Sequence, residues 1–165
     1  MATLKALLDA GIQATYSASG LAATTSNVSF PDNISITSGT GTNQGDLMYA
    51  QTRTLLTAAT DNLDLNGVLV DPIGTVIPML KVIAILIMSD TANTTDLTIG
   101  NGANPFIGPF GAATHTLSLQ PGGRHLLIAP KTGWTVVPAT GDILKITNAA
   151  GASATYSIVI LGRTA

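Results

Sequence analysis

The two histidines are the side chains best suited to acid–base chemistry near neutral pH, and they stand close together in the chain. His115 and His125 flank a segment typical of strand, tight turn and strand, so paired strands could bring the imidazoles together. Zinc generally requires three or four protein ligands, and the chain has no cysteine to complete such a set. We therefore interpret both histidines as polar, solvent-facing strand positions and predict no metal site.

The nine acidic residues are all aspartates, and none of them forms a convincing catalytic pair. Asp61 and Asp64 are the closest pair, but an offset of three along a strand places two side chains on opposite faces. Asp90 and Asp96 bracket a turn and could bind calcium with loop carbonyls, but capping of the turn is the better interpretation. The chain also has no Gly-x-Ser-x-Gly elbow and no phosphate-binding loop. We predict no catalytic residue, no cofactor and no enzymatic activity.

Three aromatic residues are the best candidates for an interaction surface. Phe106 and Phe110 lie in a loop rich in proline and glycine, where exposed rings could anchor a protein interface or stack on a sugar. The same rings could instead fold back as a lid over the open end of the body. Trp134, the only tryptophan, could be a carbohydrate platform or a position in the core or at its rim.

The composition indicates a β-rich chain with few charges. Charged residues make up 10% of the 165 residues, against about 25% in typical soluble domains. The absence of glutamate and the abundance of threonine, glycine and asparagine favour strands and turns over helices. The seven positive residues are scattered, which argues against nucleic-acid binding. A surface with so little charge suggests burial against neighbours, in an oligomer or a larger assembly.

Neither a membrane span nor a signal peptide is predicted. The apolar run from Val82 to Met88 is far shorter than the ~20 residues that a spanning helix needs. The apolar patch near the N-terminus is interrupted by Asp9, unlike the apolar region of a signal peptide. We therefore expect no membrane partner.

Short strands separated by glycine, proline and asparagine turns account for most of the chain. The run from Leu80 to Met88 is the most apolar and predicts a strand buried on both faces. The segment from Leu117 to Pro130 is typical of a hairpin whose turn is Gln120-Pro121-Gly122-Gly123. Eight or nine such strands over residues 47–165 predict an all-β fold, an antiparallel, jelly-roll-like β-sandwich.

A short helix is expected at the N-terminus, from Thr3 to Ala10. Thr3 is a suitable N-cap, and Gly11 fits the position just after the helix. The apolar face of this helix could pack on its own domain or on a partner, and it would present Leu4, Leu7 and Leu8.

A polar arm follows over residues 17–46 and completes an N-terminal unit of residues 1–46. It is rich in serine, threonine, glycine and asparagine, with a few apolar residues that include Phe30. The pattern is compatible with an irregular strand-turn-strand or with an arm that orders only on a partner.

Six short motifs follow one another in order between Leu47 and Gly162. They are Arg53-Thr54-Leu55, Leu63-Asp64-Leu65, Gly108-Pro109-Phe110-Gly111, Pro121-Gly122-Gly123, Gly133-Trp134 and Gly141-Asp142-Ile143-Leu144. This series resembles small virion proteins of tailed bacteriophages. The resemblance implies a non-enzymatic structural protein, a head decoration or cement protein with a jelly-roll body that is often trimeric.

The resemblance sets the expected partners and location. The chain would form a homotrimer on the capsid surface of a virion and bind the major capsid protein, after synthesis in the host cytoplasm. Its N-terminal segment would add strands to capsid subunits or lie across them. Two alternatives stay open at this point: a carbohydrate- or receptor-binding module of the virion, and a tail or connector component with the same fold.

Overall fold

The computed structural model describes residues 3–17, 19 and 24–165, which contain fourteen strands and no helix. The all-β prediction is therefore confirmed for this part of the chain. The strands are β1 (Ala6–Asp9), β2 (Ile12–Ser17), β3 (Thr25–Phe30), β4 (Asn33–Ser38), β5 (Gln44–Gly45), β6 (Leu47–Leu55), β7 (Thr60–Asp64), β8 (Lys81–Ser89), β9 (Leu97–Gly100), β10 (Thr116–Leu119), β11 (Arg124–Ile128), β12 (Trp134–Thr135), β13 (Ile143–Asn148) and β14 (Ala154–Arg163).

Two antiparallel sheets contribute to one large core. The four-stranded sheet has the order β10-β9-β13-β7, and the five-stranded sheet has the order β11-β8-β14-β6, with β12 also paired to β8. Leu63 and Ile146 of the first sheet belong to the same buried cluster as Ile85 and Ile158 of the second. Every second residue of β13 is buried, as expected when one face of a strand packs on a core. We call this cluster the large core.

Strand β8 is buried on both faces from Val82 to Ile85, which confirms the prediction made from Leu80–Met88 for this part of the run. Val82 and Ile85 belong to the large core. Ile83 and Ala84 belong to a second cluster, here called the outer cluster, which also contains Leu8 and residues of β4 and β14. We call the face of the five-stranded sheet that carries the outer cluster its outer face. The N-terminal strands cover part of this face.

The predicted hairpin over Leu117–Pro130 is wrong in its pairing. Both strands exist, as β10 and β11, but β10 pairs with β9 of the four-stranded sheet and β11 pairs with β8 of the five-stranded sheet. The turn between them carries the chain from one sheet to the other, with Gly122 at a φ of 71°. The local sequence specifies a tight turn, but it does not specify which strands the two arms pair with.

The predicted N-terminal helix is also wrong. Residues Ala6–Asp9 form β1, which pairs with β4 and places Leu8 against Ile36 in the outer cluster. Helices shorter than about 12 residues are marginal in water on their own. Strand pairing satisfies the backbone of this segment and buries Leu8 to 9% exposure, so tertiary structure overrides local propensity.

Strands β1 to β4 form one antiparallel ribbon with an interruption in the middle. Asp9 pairs with Asn33, and Ile12 pairs with Phe30 three residues further along both strands, so the register is unchanged across the break. The amide of Ala10 donates to the carbonyl of Asp32 at 2.9 Å and connects the two halves. We call β1 and β4 the ribbon base, and β2 and β3 the ribbon tip.

Glycine and proline account for the interruption of the ribbon. Pro31 has no backbone N–H to donate to a ladder. A Cβ at Gly11 would lie 3.0 Å from the carbonyl oxygen of Phe30 and 3.1 Å from the Cα of Pro31, so a side chain here would crowd the opposite strand. The polar arm expected over residues 17–46 is thus built largely of β3, β4 and β5, while residues 18 and 20–23 lie outside the described part of the chain.

Candidate interaction surfaces

The three aromatic candidates pack against the large core. Phe106 is 1% exposed, and its amide donates to the carbonyl of Ile143 at 2.9 Å. Gly108 lies directly against Trp134 and the ring of Phe106, with no room for a side chain. Phe110 and Trp134 are half-buried against the same core. The interpretation of Phe106 as an exposed ring is therefore wrong, and its loop folds back onto the body.

Each histidine ring lies within hydrogen-bond distance of a backbone carbonyl. Nδ1 of His115 lies 2.8 Å from the carbonyl oxygen of Phe110 and holds the aromatic loop. Nε2 of His125 lies 2.8 Å from the carbonyl oxygen of Ser118, across the turn that joins the two sheets. These contacts give both rings a structural role. Within the described residues, no three His, Cys, Asp or Glu side chains are grouped closely enough to hold a metal ion.

A polar cluster at the margin of the two sheets was missed by the sequence interpretation. Asp61 on β7 accepts hydrogen bonds from Nε and Nη2 of Arg53 on β6, and from the hydroxyl of Tyr156 on β14 at 2.7 Å. Nη1 of Arg53 donates to the hydroxyl of Tyr49 at 3.2 Å and to Oε1 of Gln51 at 3.1 Å. Because β7 belongs to one large sheet and β6 and β14 to the other, we call this cluster the clasp.

The pKa shifts of Tyr156, Tyr49 and Arg53 fit the hydrogen bonds that hold the clasp together. Burial, and then the hydrogen bond to Asp61, raise the pKa of Tyr156 far above its usual range. Burial also raises the pKa of Tyr49. The hydrogen bond to Asp61 raises the pKa of Arg53. Both phenols therefore stay protonated and the guanidinium stays charged at neutral pH, as the hydrogen bonds and the ion pair to Asp61 require.

The three leucines of the predicted helix do not lie on one common face. Leu7 and Leu8 belong to β1, and Leu4 precedes it. Leu8 is buried in the outer cluster, and Leu4 is half-buried against it. Leu7 lies on the opposite face of β1 and is 68% exposed. The different environments of Leu7 and Leu8 follow from strand geometry, in which neighbouring side chains alternate between faces.

An apolar groove lies between β1 and the outer face of the five-stranded sheet. Its volume is about 210 Å³, and all nine residues that line it are apolar. Leu7 forms part of its wall, and Leu86, Leu126 and Val159 contribute from three adjacent strands of the sheet. These three side chains are half-buried, so the ribbon base leaves this part of the outer face open.

The ribbon tip is exposed along its whole length. All six residues of β2 and all six of β3 are exposed, including Tyr16 at 79% and Phe30 at 72%. The pairing places Ile12 with Phe30 and Ala14 with Val28 on one face, and Tyr16 with Ser26 continues it. The opposite face is entirely polar and consists of Gln13, Thr15, Ser17, Thr25, Asn27 and Ser29. The tip therefore presents an uncovered apolar face.

Comparison of the chain with protein-family models, with curated proteins and with solved structures finds no match. Among residues 3–17, 19 and 24–165, no helix is long and apolar enough to cross a membrane.

Proposed function

We propose that this chain is a structural virion protein, a decoration or cement protein that stabilises a phage head by bridging capsid subunits. The observation that carries the proposal is the exposed apolar face of the ribbon tip. An isolated two-stranded ribbon is at best marginally stable in water. An apolar ribbon that extends from a well-packed body is therefore suited to contact a neighbouring subunit, as a cement protein must.

The body suits such a role because its two larger sheets share one well-packed core. We propose that the two larger sheets form a jelly-roll-like β-sandwich over residues 47–165, with residues 1–46 as the N-terminal unit. The shared large core, the antiparallel pairing and the clasp that ties β6 and β14 to β7 support this architecture. A low content of charged residues, 10%, fits a chain whose surface is largely covered by neighbours.

A non-enzymatic role is part of the proposal. The two histidines contact backbone carbonyls, and Asp61 is engaged by Arg53 and Tyr156. The receptor-binding alternative depended on exposed aromatic rings, and Phe106 supplies none. A tail or connector component would share every feature described here and differ only in its position in the particle.

The partners follow from the resemblance to phage head proteins. We propose a homotrimer on the capsid surface that binds the major capsid protein, after synthesis in the host cytoplasm. A trimer with threefold symmetry is one of the closed arrangements that identical chains form.

Electron cryomicroscopy of the parent virion tests this function. We expect density for the β-body on the outside of the head, and we expect particles without the chain to release their contents at a lower temperature. Adding back the purified chain should restore the original temperature. Density confined to the tail or the connector, or unchanged thermal stability without the chain, would contradict the proposal.

A further inference from the structure

The apolar face of the ribbon tip continues a face that is already packed in the ribbon base. In the base, Leu8 and Ile36 face the five-stranded sheet and are buried. Because the register is unchanged across the break, residues of the same parity, such as Ile12 and Phe30, belong to the same stripe of the ribbon. One half of this stripe covers a sheet, and the other half is exposed and covers none of the residues that the structure describes.

The tip does not pack on the outer face that the base covers, because all residues of β2 and β3 are exposed. Two-stranded ribbons generally twist strongly along their length, so the two halves of a ribbon need not follow one sheet face. Cover for the apolar face of the tip would therefore come from another molecule.

The groove on the outer face matches the tip in chemistry and in size. Its lining is entirely apolar, and residues 10–31 of the ribbon contain no charged side chain, so no charge would be buried on contact. An apolar cavity of about 150 Å³ is large enough to bind benzene. The groove, at about 210 Å³, can therefore accept an aromatic ring such as that of Phe30.

We propose that the ribbon tip of one copy packs its apolar face on the groove of a second copy of this chain, with Phe30 as the anchor. A second copy is the occupant because the groove directly adjoins β1, where the base of the same ribbon already packs on the same sheet face. The contact between copies would extend this intramolecular packing. Each copy carries one tip and one groove, so a closed ring of identical chains uses every surface once.

The contact between the tip and the groove does not depend on the location of the protein in a phage head, because both surfaces belong to the chain itself. A capsid protein that covers the tip is the competing outcome, and the experiments below separate the two.

Cross-linking with introduced cysteines tests the contact directly, since the chain has no cysteine of its own. Full-length Ala14→Cys, on the apolar face of the tip, is mixed with full-length Leu7→Cys, on the exposed wall of the groove, and treated with a short bismaleimide. The matched control replaces Ala14→Cys by Thr15→Cys, one residue along on the polar face. We expect at least a tenfold excess of mixed dimer with Ala14→Cys. Equal yields from the two pairs would overturn the proposal.

Solution mass by light scattering provides a second test without a cross-linker. We expect the wild-type chain to self-associate, and we expect Tyr16→Thr with Phe30→Thr to weaken association at least tenfold. Gln13→Thr with Ser29→Thr, on the polar face, is the matched control and should leave association unchanged. Leu7→Glu should weaken association from the groove side. A mixture of Leu7→Glu with the Tyr16→Thr, Phe30→Thr variant should form 1:1 pairs, because one partner retains a tip and the other a groove.

The outcomes distinguish this inference from the proposed function. A wild-type chain that stays monomeric at all concentrations, or tip and control variants of equal mass, would overturn the contact between copies. If Ala14→Cys cross-links only to the capsid protein in assembled particles, a second copy does not cover the tip, and the proposed location on the head still holds. If the tip joins two copies but the chain is missing from the head, the proposed function fails and the contact stands.

Discussion

The base and the tip of the N-terminal ribbon have the same antiparallel pairing in one register, and they differ in what covers them. In the base, Ile36 pairs with Ala6 and is 1% exposed. In the tip, Val28 pairs with Ala14 on the same face and is 41% exposed. Pairing alone leaves a two-stranded ribbon marginally stable, so burial against a sheet should make the base the more stable half. Among the described residues, nothing buries the tip in the same way.

Truncation of the matched residues Ile36 and Val28 tests directly whether burial makes the base more stable than the tip. Ile36→Ala should destabilise the protein by about 2–5 kcal/mol, because it leaves a cavity in the outer cluster. Val28→Ala should cost no more than about 0.5 kcal/mol, as expected of an exposed position. Urea unfolding at a low protein concentration measures both. Similar losses for the two variants would mean that the tip is as well packed as the base.

Loss of the clasp should weaken the body and leave the ribbon intact. Asp61→Asn removes the charge that pairs with Arg53 and leaves Tyr156 with a weaker acceptor. Because Arg53 is 36% exposed and partly screened by solvent, we expect a loss of about 1–3 kcal/mol. Urea unfolding gives the size of the loss, and hydrogen exchange locates it. Faster exchange should appear in β6 and β7, and loosening confined to β1 and β4 would contradict this role.

The buried tyrosines predict a loss of stability at alkaline pH. The pKa of each buried tyrosine is higher in the folded chain than in the unfolded chain. The fold therefore keeps its full stability while the unfolded tyrosine is still protonated. As the pH rises further, the unfolded chain loses its proton first and the free energy of unfolding falls. Above about pH 10, the free energy of unfolding should therefore fall as the pH rises, and for Tyr156 the slope should approach 1.4 kcal/mol per pH unit. Tyr156→Phe should reduce this slope, because it removes one of the two phenols whose pKa is raised. An unchanged slope in Tyr156→Phe would exclude Tyr156 as the cause.

The smallest expected effect is that of Phe30→Thr on the stability of the monomer. Phe30 is 72% exposed, so its replacement should change the free energy of unfolding by less than about 0.5 kcal/mol. The same variant should weaken self-association, which separates a contact between molecules from one within the chain. A loss above about 2 kcal/mol in dilute urea unfolding, a value typical of buried residues, would place Phe30 in the core instead.

Composition and alternation were sufficient to predict the all-β class and the buried strand β8. The absence of glutamate and the run from Val82 to Met88 are local signals that need no knowledge of the rest of the fold. The hairpin predicted around Pro121 is wrong in its pairing. Turn residues encode a change of direction, whereas the pairing of β10 and β11 depends on distant strands.

The predicted helix from Thr3 to Ala10 was wrong for a related reason. A short apolar pattern fits a helix or a strand, and only the partner strand β4, about 25 residues further on, decides between them. The clasp did carry a signal, since Arg53 has the same strand parity as the buried residues Tyr49 and Leu55. A charge on an inward face indicates a buried partner, but the sequence alone does not identify Asp61 as that partner.

The amphipathic pattern of the ribbon tip could be predicted only after its register was known. Ile12, Ala14 and Tyr16 alternate with polar residues in one strand, and Val28 and Phe30 do so in the other. Aligning the two patterns on one face requires the pairing of β2 with β3. The most informative surface of the molecule therefore arises from two weak local patterns brought into one register.

Hydrogen exchange of the ribbon amides at low and high protein concentration tests most directly whether the tip is a surface for a second molecule. In dilute solution, amides of β2 and β3 should exchange much faster than those of β1 and β4. At high concentration, protection of the tip should rise at least tenfold while that of the base stays constant. A tip that is as protected as the base in dilute solution, or whose protection does not change with concentration, would contradict this interpretation.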